Sequence, residues 1–271
     1  MKFLQLLSIS LLVCFIQAAS VSPASTDNVT VRTPSKTIPG FKKPIYIQIV
    51  GNEVFLTEYD GKVQVLDVHT GAKLRNFSIP SGNPHGLFVK GNRVLVTNHY
   101  QNTYSFTLSG ELYGVHYSPK TVAVALDYNG LMYISEWTTC KINVYNVDGT
   151  KSHTLSLGNS CYPRKIQFDK QGNLYVGKHF GRGVSVYDRK GSLIRKIALP
   201  TVSYMDGIHL NPLDEDFLYV ADRSGKALKV EIATGKVVEK FTGVSAAIDI
   251  AIGPDGKVWV VDINGNSIKI Y

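Results

Sequence analysis

A repeat of roughly forty residues is the feature that most constrains this chain. Turn glycines recur at spacings of 39, 39, 42 and 44 residues, at Gly71, Gly110, Gly149, Gly191 and Gly235. Between them, each repeat shows an alternating strand, a short turn, an apolar strand, a polar loop and a second alternating strand. Alternation with a period of two is typical of half-buried strands. The chain is therefore predicted to be a β-repeat protein.

Six copies of the repeat are visible, and they begin at Pro44, Pro84, Thr121, Tyr162, Tyr204 and Ala247. Four antiparallel strands in each unit of this length form one propeller blade. No segment has convincing helical periodicity. We therefore predict an all-β fold, a six-bladed β-propeller with four-stranded antiparallel blades, over residues 44–271.

The sixth copy reaches Tyr271 after only its third strand. A propeller with an incomplete blade would keep an open strand edge. The segment 21–43 contains two extended stretches, Val29–Arg32 and Lys36–Ile38, that can supply the missing strand. We therefore expect the ring to be closed by an N-terminal strand.

The first twenty residues resemble a secretory signal peptide. Lys2 precedes an apolar run from Phe3 to Ile16, and small residues follow at Ala18 and Ala19. This run is shorter than the roughly 20 residues that a membrane-spanning helix needs, so cleavage is favoured over anchoring. Residues 1–20 are therefore predicted to be a signal peptide, with no transmembrane segment elsewhere and a secreted, extracellular location.

Cysteines and asparagines fit that location. Cys14 lies in the predicted signal peptide, which leaves Cys140 and Cys161 as an even pair. A pair in a secreted chain predicts one disulfide, here between neighbouring blades. Asn28 and Asn76 each begin an N-glycosylation acceptor pattern.

The charge narrows the partner classes only slightly. The chain has 29 Lys and Arg against 21 Asp and Glu, and loss of Lys2 with the signal peptide leaves a net charge of about +7. Such an excess can attract anionic partners. Because no basic run is longer than two residues, we favour the interpretation that the charge serves only to keep the protein soluble. Nucleic-acid binding is disfavoured, and a monomer without a cofactor is expected.

Blade topology divides the loops between two faces. The turns between strands 1 and 2 and between strands 3 and 4 are short, whereas loops between strands 2 and 3 carry aromatic and ionisable residues. Function is therefore expected on the second face, near the central channel. The candidate ligand-binding residues there are Tyr59, His99, Tyr100, Trp137, Lys178, His179 and Arg223.

Polar residues also occur where the first strands begin, beside the channel. The catalytic candidates are His85, Arg164, Asp206 and Asp249, which differ from blade to blade. The alternative to a functional role is that Arg164 and Asp206 form a structural salt bridge that fills the channel. By contrast, the acids that end second strands recur by blade, which favours capping of loop N–H groups; they are Glu58, Glu136, Asp222 and Asp262. The histidines expected to be incidental, on turns or outer strands, are His69, His116, His153 and His209.

The repeats resemble those of the NHL family. The similarity rests on strand ends such as Leu218–Asp222 and Val258–Asp262 and on the Asp-Gly turns, and it implies the architecture but no function.

Two metalloenzyme families share short segments with the chain. Met205-Asp-Gly-Ile is similar to the segment that supplies a metal-ligand Asp in gluconolactonase-type hydrolases, which makes Asp206 the candidate metal ligand. The other inner positions of that ligand set read Ile45 and Arg164. Pro84-His-Gly-Leu resembles a zinc-binding segment of peptidyl-hydroxyglycine amidating lyases, which use three such histidines where this chain has only His85.

Streptogramin B lyases provide the third resemblance. Tyr133–Trp137 and Leu56–Tyr59 look like the Trp-Phe-Thr-Glu-Trp blade motif of that family, but its Glu-x-His pair has no counterpart here. We therefore expect a secreted binding or interaction module for an extracellular glycan, peptide or protein. The alternative is a hydrolase or lyase at the channel mouth, with His85 as acid or base and Asp206 or Asp249 as partner or as ligand of Ca²⁺ or Zn²⁺.

Overall fold

The computed structural model describes residues 28–99, 102–159, 161–211 and 213–271. The predicted signal peptide and Tyr100 lie outside these residues. The described chain contains strands and turns, and none of it forms a helix that could cross a membrane.

Six antiparallel sheets form the blades of a β-propeller, as predicted. Blades 1 and 2 comprise β3 (Pro44–Val50), β4 (Glu53–Glu58), β5 (Lys62–Asp67), β6 (Lys73–Ser78), β7 (Pro84–Lys90), β8 (Arg93–Asn98), β9 (Asn102–Phe106) and β10 (Leu112–Tyr117). Blades 3 and 4 comprise β11 (Thr121–Leu126), β12 (Met132–Glu136), β13 (Lys141–Tyr145), β14 (Lys151–Ser156), β15 (Pro163–Phe168), β16 (Leu174–Lys178), β17 (Gly183–Tyr187) and β18 (Leu193–Ala198). Blades 5 and 6 contain β19 (Met205–Leu210), β20 (Phe217–Asp222), β21 (Lys226–Glu231), β22 (Val237–Phe241), β23 (Ala247–Ile252), β24 (Val258–Asp262) and β25 (Ser267–Ile270).

The N-terminal segment closes the ring. Strand β2 (Lys36–Pro39) pairs antiparallel with β25 and becomes the outer strand of blade 6. Strand β1 (Thr30–Arg32) pairs parallel with β22 and gives blade 5 a fifth strand. The predicted closure is confirmed, and each of the two candidate stretches pairs with a different blade.

Burial falls from the channel outwards. Inner strands such as β11 are buried along their whole length, because neighbouring blades cover both faces of them. Outer strands such as β10 alternate between exposed and half-buried residues. The largest fully buried side chains, among them Trp259, Tyr46 and Phe55, lie between blades. Apolar burial between blades therefore provides most of the stabilisation.

Two glutamines join inner strands of adjacent blades. The amide of Gln48 donates to Val89 O at 2.9 Å and accepts from Val89 N at 2.7 Å, which ties blade 1 to blade 2. Gln167 makes the same pair of bonds with Leu210, between blades 4 and 5. These side chains satisfy inner-strand backbone groups that face the channel instead of a ladder partner.

Candidate functional site

The site begins with a backbone irregularity at the start of the first strands. Pairing between strands 1 and 2 shifts register between Pro84 and Gly86, between Pro163 and Lys165, and between Met205 and Gly207. The residues inside these shifts are His85, Arg164 and Asp206. A bulge re-aims a side chain, and these three side chains meet at one mouth of the channel.

Asp206 lies at the centre of the mouth and is fully buried. Its Oδ1 accepts from Arg164 Nε at 2.8 Å, and its Oδ2 accepts from Arg223 Nε at 2.7 Å. His179 Nδ1 lies 2.8 Å from Oδ1. Burial favours a higher pKa, but the hydrogen bond from His179 and the charges of Arg164 and Arg223 lower the pKa of Asp206. The carboxylate is therefore held ionised.

His85 adjoins this network. Arg164 Nη1 lies 3.3 Å from His85 Nδ1, and because arginine always donates, Nδ1 accepts. The proton then sits on Nε2, which donates to Asn83 Oδ1 at 3.1 Å. Burial, with help from Arg164 and His99, lowers the pKa of His85 to about 2. The ring of His99 packs 4.3 Å away, so both imidazoles belong to one cluster.

Asp249 lies deeper in the channel and pairs with another basic residue. Its Oδ2 accepts from Lys165 Nζ at 2.7 Å and from Ile47 N at 3.0 Å. The Lys165 ammonium also lies 4.9 Å from the ring centre of Tyr46. Burial raises the pKa of Asp249, against the opposing effect of Lys165. Asp249 therefore belongs to an ion pair separate from that of Asp206.

A cluster of aromatic side chains lies beside Asp206. It consists of Trp137, Tyr162, His179, Phe180 and Tyr204, with ring centres 4.4 to 6.4 Å apart. Phe180 and Tyr204 are 52% and 47% exposed. The guanidinium of Arg164 lies 5.0 Å from the Trp137 ring and links this aromatic cluster to the buried carboxylate.

A disulfide supports the aromatic cluster. Cys140 and Cys161 are bonded, with their Cα atoms 5.4 Å apart. The bridge joins the end of the 2–3 loop of blade 3 to the link into blade 4. Tyr162 follows Cys161 directly and has a φ of +40°. The predicted bridge is thus present, and it anchors one ring of the cluster.

Three of the four recurring acids accept from loop N–H groups, as expected. Asp222 accepts from the backbone N–H groups of Ser203, Tyr204 and Ser224, and Asp262 accepts from those of Ser245 and Ala246.

Glu58 accepts from Lys42 N, whereas Glu136 holds the side chains of Thr139 and Asn143. In blade 4 the equivalent position is Lys178, which is only half-buried and has a pKa lowered by burial and by Lys196. Lys178 therefore departs from the repeat at the place where the aromatic cluster forms.

Several sequence-based candidates lie elsewhere. Tyr59 is 49% exposed on blade 1, where Lys43 covers its ring. Asn28 and Asn76 are both exposed, and whether they carry glycans stays a prediction. His209 was expected on a turn or outer strand; this was wrong, because it lies on the inner strand β19, where it pairs with Tyr219.

A metal does not fit the donor set around Asp206. Both carboxylate oxygens already accept from cationic or N–H donors, and Arg164 places a positive charge beside them. Within the described residues, no group of three His, Cys, Asp or Glu side chains is arranged to hold a metal ion. The segment Met205-Asp-Gly-Ile has a packing requirement of its own, since a Cβ on Gly207 would lie 2.5 Å from Asp249 Oδ1.

Sequence reasoning missed part of this site. Tyr162, Phe180, Tyr204 and Asn83 were not candidates, because they lie in links and loops that do not repeat. The available signal was the aromatic residue close to some of the site positions, as in Tyr162-Pro-Arg164 and His179-Phe180.

No family model matches the chain, and no curated protein matches it either. Among solved structures, it is similar to virginiamycin B lyase from Staphylococcus aureus. The selenomethionine-substituted enzyme aligns with a TM-score of 0.64 at 16% identity, over 87% of this chain and 88% of that one. A catalytically inactive variant with quinupristin aligns with a TM-score of 0.66 at 16% identity, over 87% and 84%.

The likeness is one of fold. At this identity, it confirms the distant resemblance to propellers of the streptogramin-lyase type. It leaves the resemblance to the NHL, gluconolactonase-type and amidating-lyase families as predictions. The chemistry of the mouth therefore has to be argued from this chain's own residues.

Proposed function

We propose that the chain is a secreted binding module whose loop-rich face takes an extracellular glycan, peptide or protein. The observation that carries this proposal is the aromatic cluster, in which Phe180 and Tyr204 are half exposed on a buried support. Exposed aromatic rings on a rigid base bind ligands at a small cost in conformational entropy.

The ion network serves as that support. Arg164 is buried between Trp137 and Asp206, and Arg223 is paired with Asp206 while its side chain stays 44% exposed. Arg223 can therefore meet an acidic or hydroxyl group of a ligand that covers the rings. Asp206 then positions the binding residues and does not itself react.

Arrays of glycans and peptides, probed with the purified protein, test the proposal. Phe180→Ala and Tyr204→Ala should each weaken binding to the best array ligand by about tenfold, the usual scale for a buried aromatic anchor. Tyr117→Ala is the matched control, since Tyr117 is 70% exposed on outer strand β10. Equal loss in all three variants, or none in the first two, would reject the aromatic cluster as the binding surface.

A lyase or hydrolase is the second candidate, and the fold of virginiamycin B lyase favours it. The cluster of His85 with Arg164 and Asp206 also lies at a channel mouth, a common position for ligand sites. The protonation pattern does not support it, because His85 Nδ1 faces a guanidinium and is not free to accept a substrate proton.

Two measurements separate the candidates. Incubation with quinupristin should leave its amount unchanged by chromatography, and conversion that is lost in His85→Ala would instead establish the enzyme. Ca²⁺ or Zn²⁺ should not raise the melting temperature. A stoichiometric metal that is lost in Asp206→Ala would overturn the role of Asp206 as a positioning residue.

A further inference from the structure

A cavity occupies the end of the channel opposite the mouth that holds Asp206. Its volume is about 300 Å³, and it is formed by the ends of the first strands and their turns in blades 1, 2, 4, 5 and 6. This volume lies at the lower end of the range for small-molecule sites. Its apolar walls are Ile47, Ile49, Leu87, Phe88, Ile166 and Ile252.

An ion pair separates this cavity from the mouth that holds Asp206. Lys165 lines the cavity, and its ammonium reaches across the channel to Asp249 at 2.7 Å and to the ring of Tyr46. Asp249 and Tyr46 are completely buried. The two ends of the channel are thus distinct sites, and a ligand at this end would be additional to the function proposed for the loop-rich face.

The cavity is electrically neutral. Lys165 is the one charged residue among the described residues that line it, and Asp249 already balances that charge. His209 also lines the cavity, and burial, together with the charge of Lys165, lowers its pKa to about 3, so the imidazole is uncharged near neutral pH. A charged ligand would lose its hydration here without gaining a counter-charge.

Hydrogen-bond donors nevertheless remain at the end of the cavity. An ammonium carries three N–H groups, and within the described chain Lys165 uses one, to Asp249. The Lys165 side chain is 14% exposed, so its remaining N–H groups can meet a polar atom that enters the cavity. Lys165 therefore offers a hydrogen-bond donor to a ligand oxygen inside the cavity.

We propose that this cavity binds a small, uncharged molecule with an apolar body and one hydrogen-bonding oxygen. The apolar body packs between the strand ends, and the oxygen accepts from Lys165.

Isothermal titration with 1-octanol and with octanoate tests the proposal on the full folded protein. We expect one saturable octanol site and binding of octanoate that is at least about tenfold weaker. Ile49→Phe, which fills the cavity, should reduce octanol affinity by about tenfold or more. Ile194→Phe is the matched control, because Ile194 is 54% exposed on an outer strand. The octanol affinity of this variant should stay within about twofold of that of the unsubstituted protein.

A reporter variant guards against misfolding of Ile49→Phe. Leu213 is 84% exposed at the rim of the cavity, so Leu213→Trp should fold normally and change its fluorescence as octanol binds. Phe180→Ala should leave octanol binding unchanged, which keeps this result independent of the loop-rich face.

Three outcomes would overturn the proposal. The first is octanoate binding at least as tightly as octanol, the second is equal octanol affinity in Ile49→Phe and Ile194→Phe, and the third is loss of octanol binding in Phe180→Ala.

Discussion

Asp206 brings one negative charge to two guanidinium groups, and this residue determines how the mouth is held together. Asp206→Asn would leave Arg164, which is buried, without its counter-charge. Removing one partner of a buried pair costs about 3–5 kcal/mol, so the free energy of unfolding in urea should fall by that amount at pH 7.

Asp60→Asn provides the comparison for that variant. Asp60 pairs with Lys42 at 3.7 Å, and both side chains are well exposed. Loss of a surface pair costs about 1 kcal/mol or less. Equal destabilisation by the two substitutions would show that the Asp206 network is not desolvated in solution.

Two histidines make stability depend on pH. Burial lowers the pKa of His85 to about 2 and that of His209 to about 3, below the usual value of 6.5. Below pH 6.5 the two histidines bind protons in the unfolded chain but not in the folded chain. The free energy of unfolding is therefore highest near pH 7 with respect to these two groups, and it decreases as the pH falls. Each histidine contributes a slope of up to about 1.4 kcal/mol per pH unit.

Urea unfolding between pH 7 and pH 5 measures this dependence. His85→Gln and His209→Gln should each flatten the slope, whereas His153→Gln, on an exposed outer strand, should not. An unchanged slope in His85→Gln would mean that its ring is not buried as a neutral group.

The channel mouth shows how far single residues could be predicted. The sequence indicates that His85, Arg164 and Asp206 lie beside the channel, since all three follow the link into a first strand. It does not indicate that they touch, because contact depends on the bulges and on side chains reaching between blades 2, 4 and 5. The contact of Tyr46 with Lys165 is unpredictable for the same reason, since it joins blade 1 to blade 4 across the channel.

At the scale of elements, the links between blades carry what the repeat does not predict. Alternation and turn residues define every strand well enough to count blades, because each strand repeats its neighbours' pattern. Tyr162 and Tyr204 lie in links of individual sequence, so no periodicity predicts that their rings converge on Phe180.

The disulfide tests whether a link positions the aromatic cluster. Cys140→Ser with Cys161→Ser removes a bridge across 21 residues, and the free energy of unfolding should fall by about 3 kcal/mol. Because Tyr162 follows the bridge, affinity for the array ligand should fall as well. A reducing agent should lower both the free energy of unfolding and the ligand affinity of the natural chain, and it should change neither in the double variant. Losses of equal size in both proteins would mean that the reagent acts elsewhere than on the disulfide.

At the scale of the whole molecule, the ring itself was predictable. An incomplete sixth repeat and an extended N-terminal segment together imply closure, because an open edge in a ring of blades is unfavourable. The parallel pairing of β1 with blade 5 was not predictable, since that blade already has four strands. Closure therefore depends on β2, and β1 adds to a complete sheet.

Matched deletions separate the two strands. Removing Lys36–Pro39 leaves blade 6 with three strands and exposes Ile268, the partner of Ile38. It also uncovers the turn at Gly71, where Ile38 packs so closely that a Cβ on Gly71 would lie 2.5 Å from Ile38 Cδ1. Removing Thr30–Arg32 leaves every blade with at least four strands. We expect the first deletion to abolish a single cooperative melting transition and the second to lower its midpoint by only a few degrees, about what the loss of 1 kcal/mol produces. Calorimetry decides the matter, and a cooperative transition that survives removal of Lys36–Pro39 would show that the ring does not need its N-terminal strand.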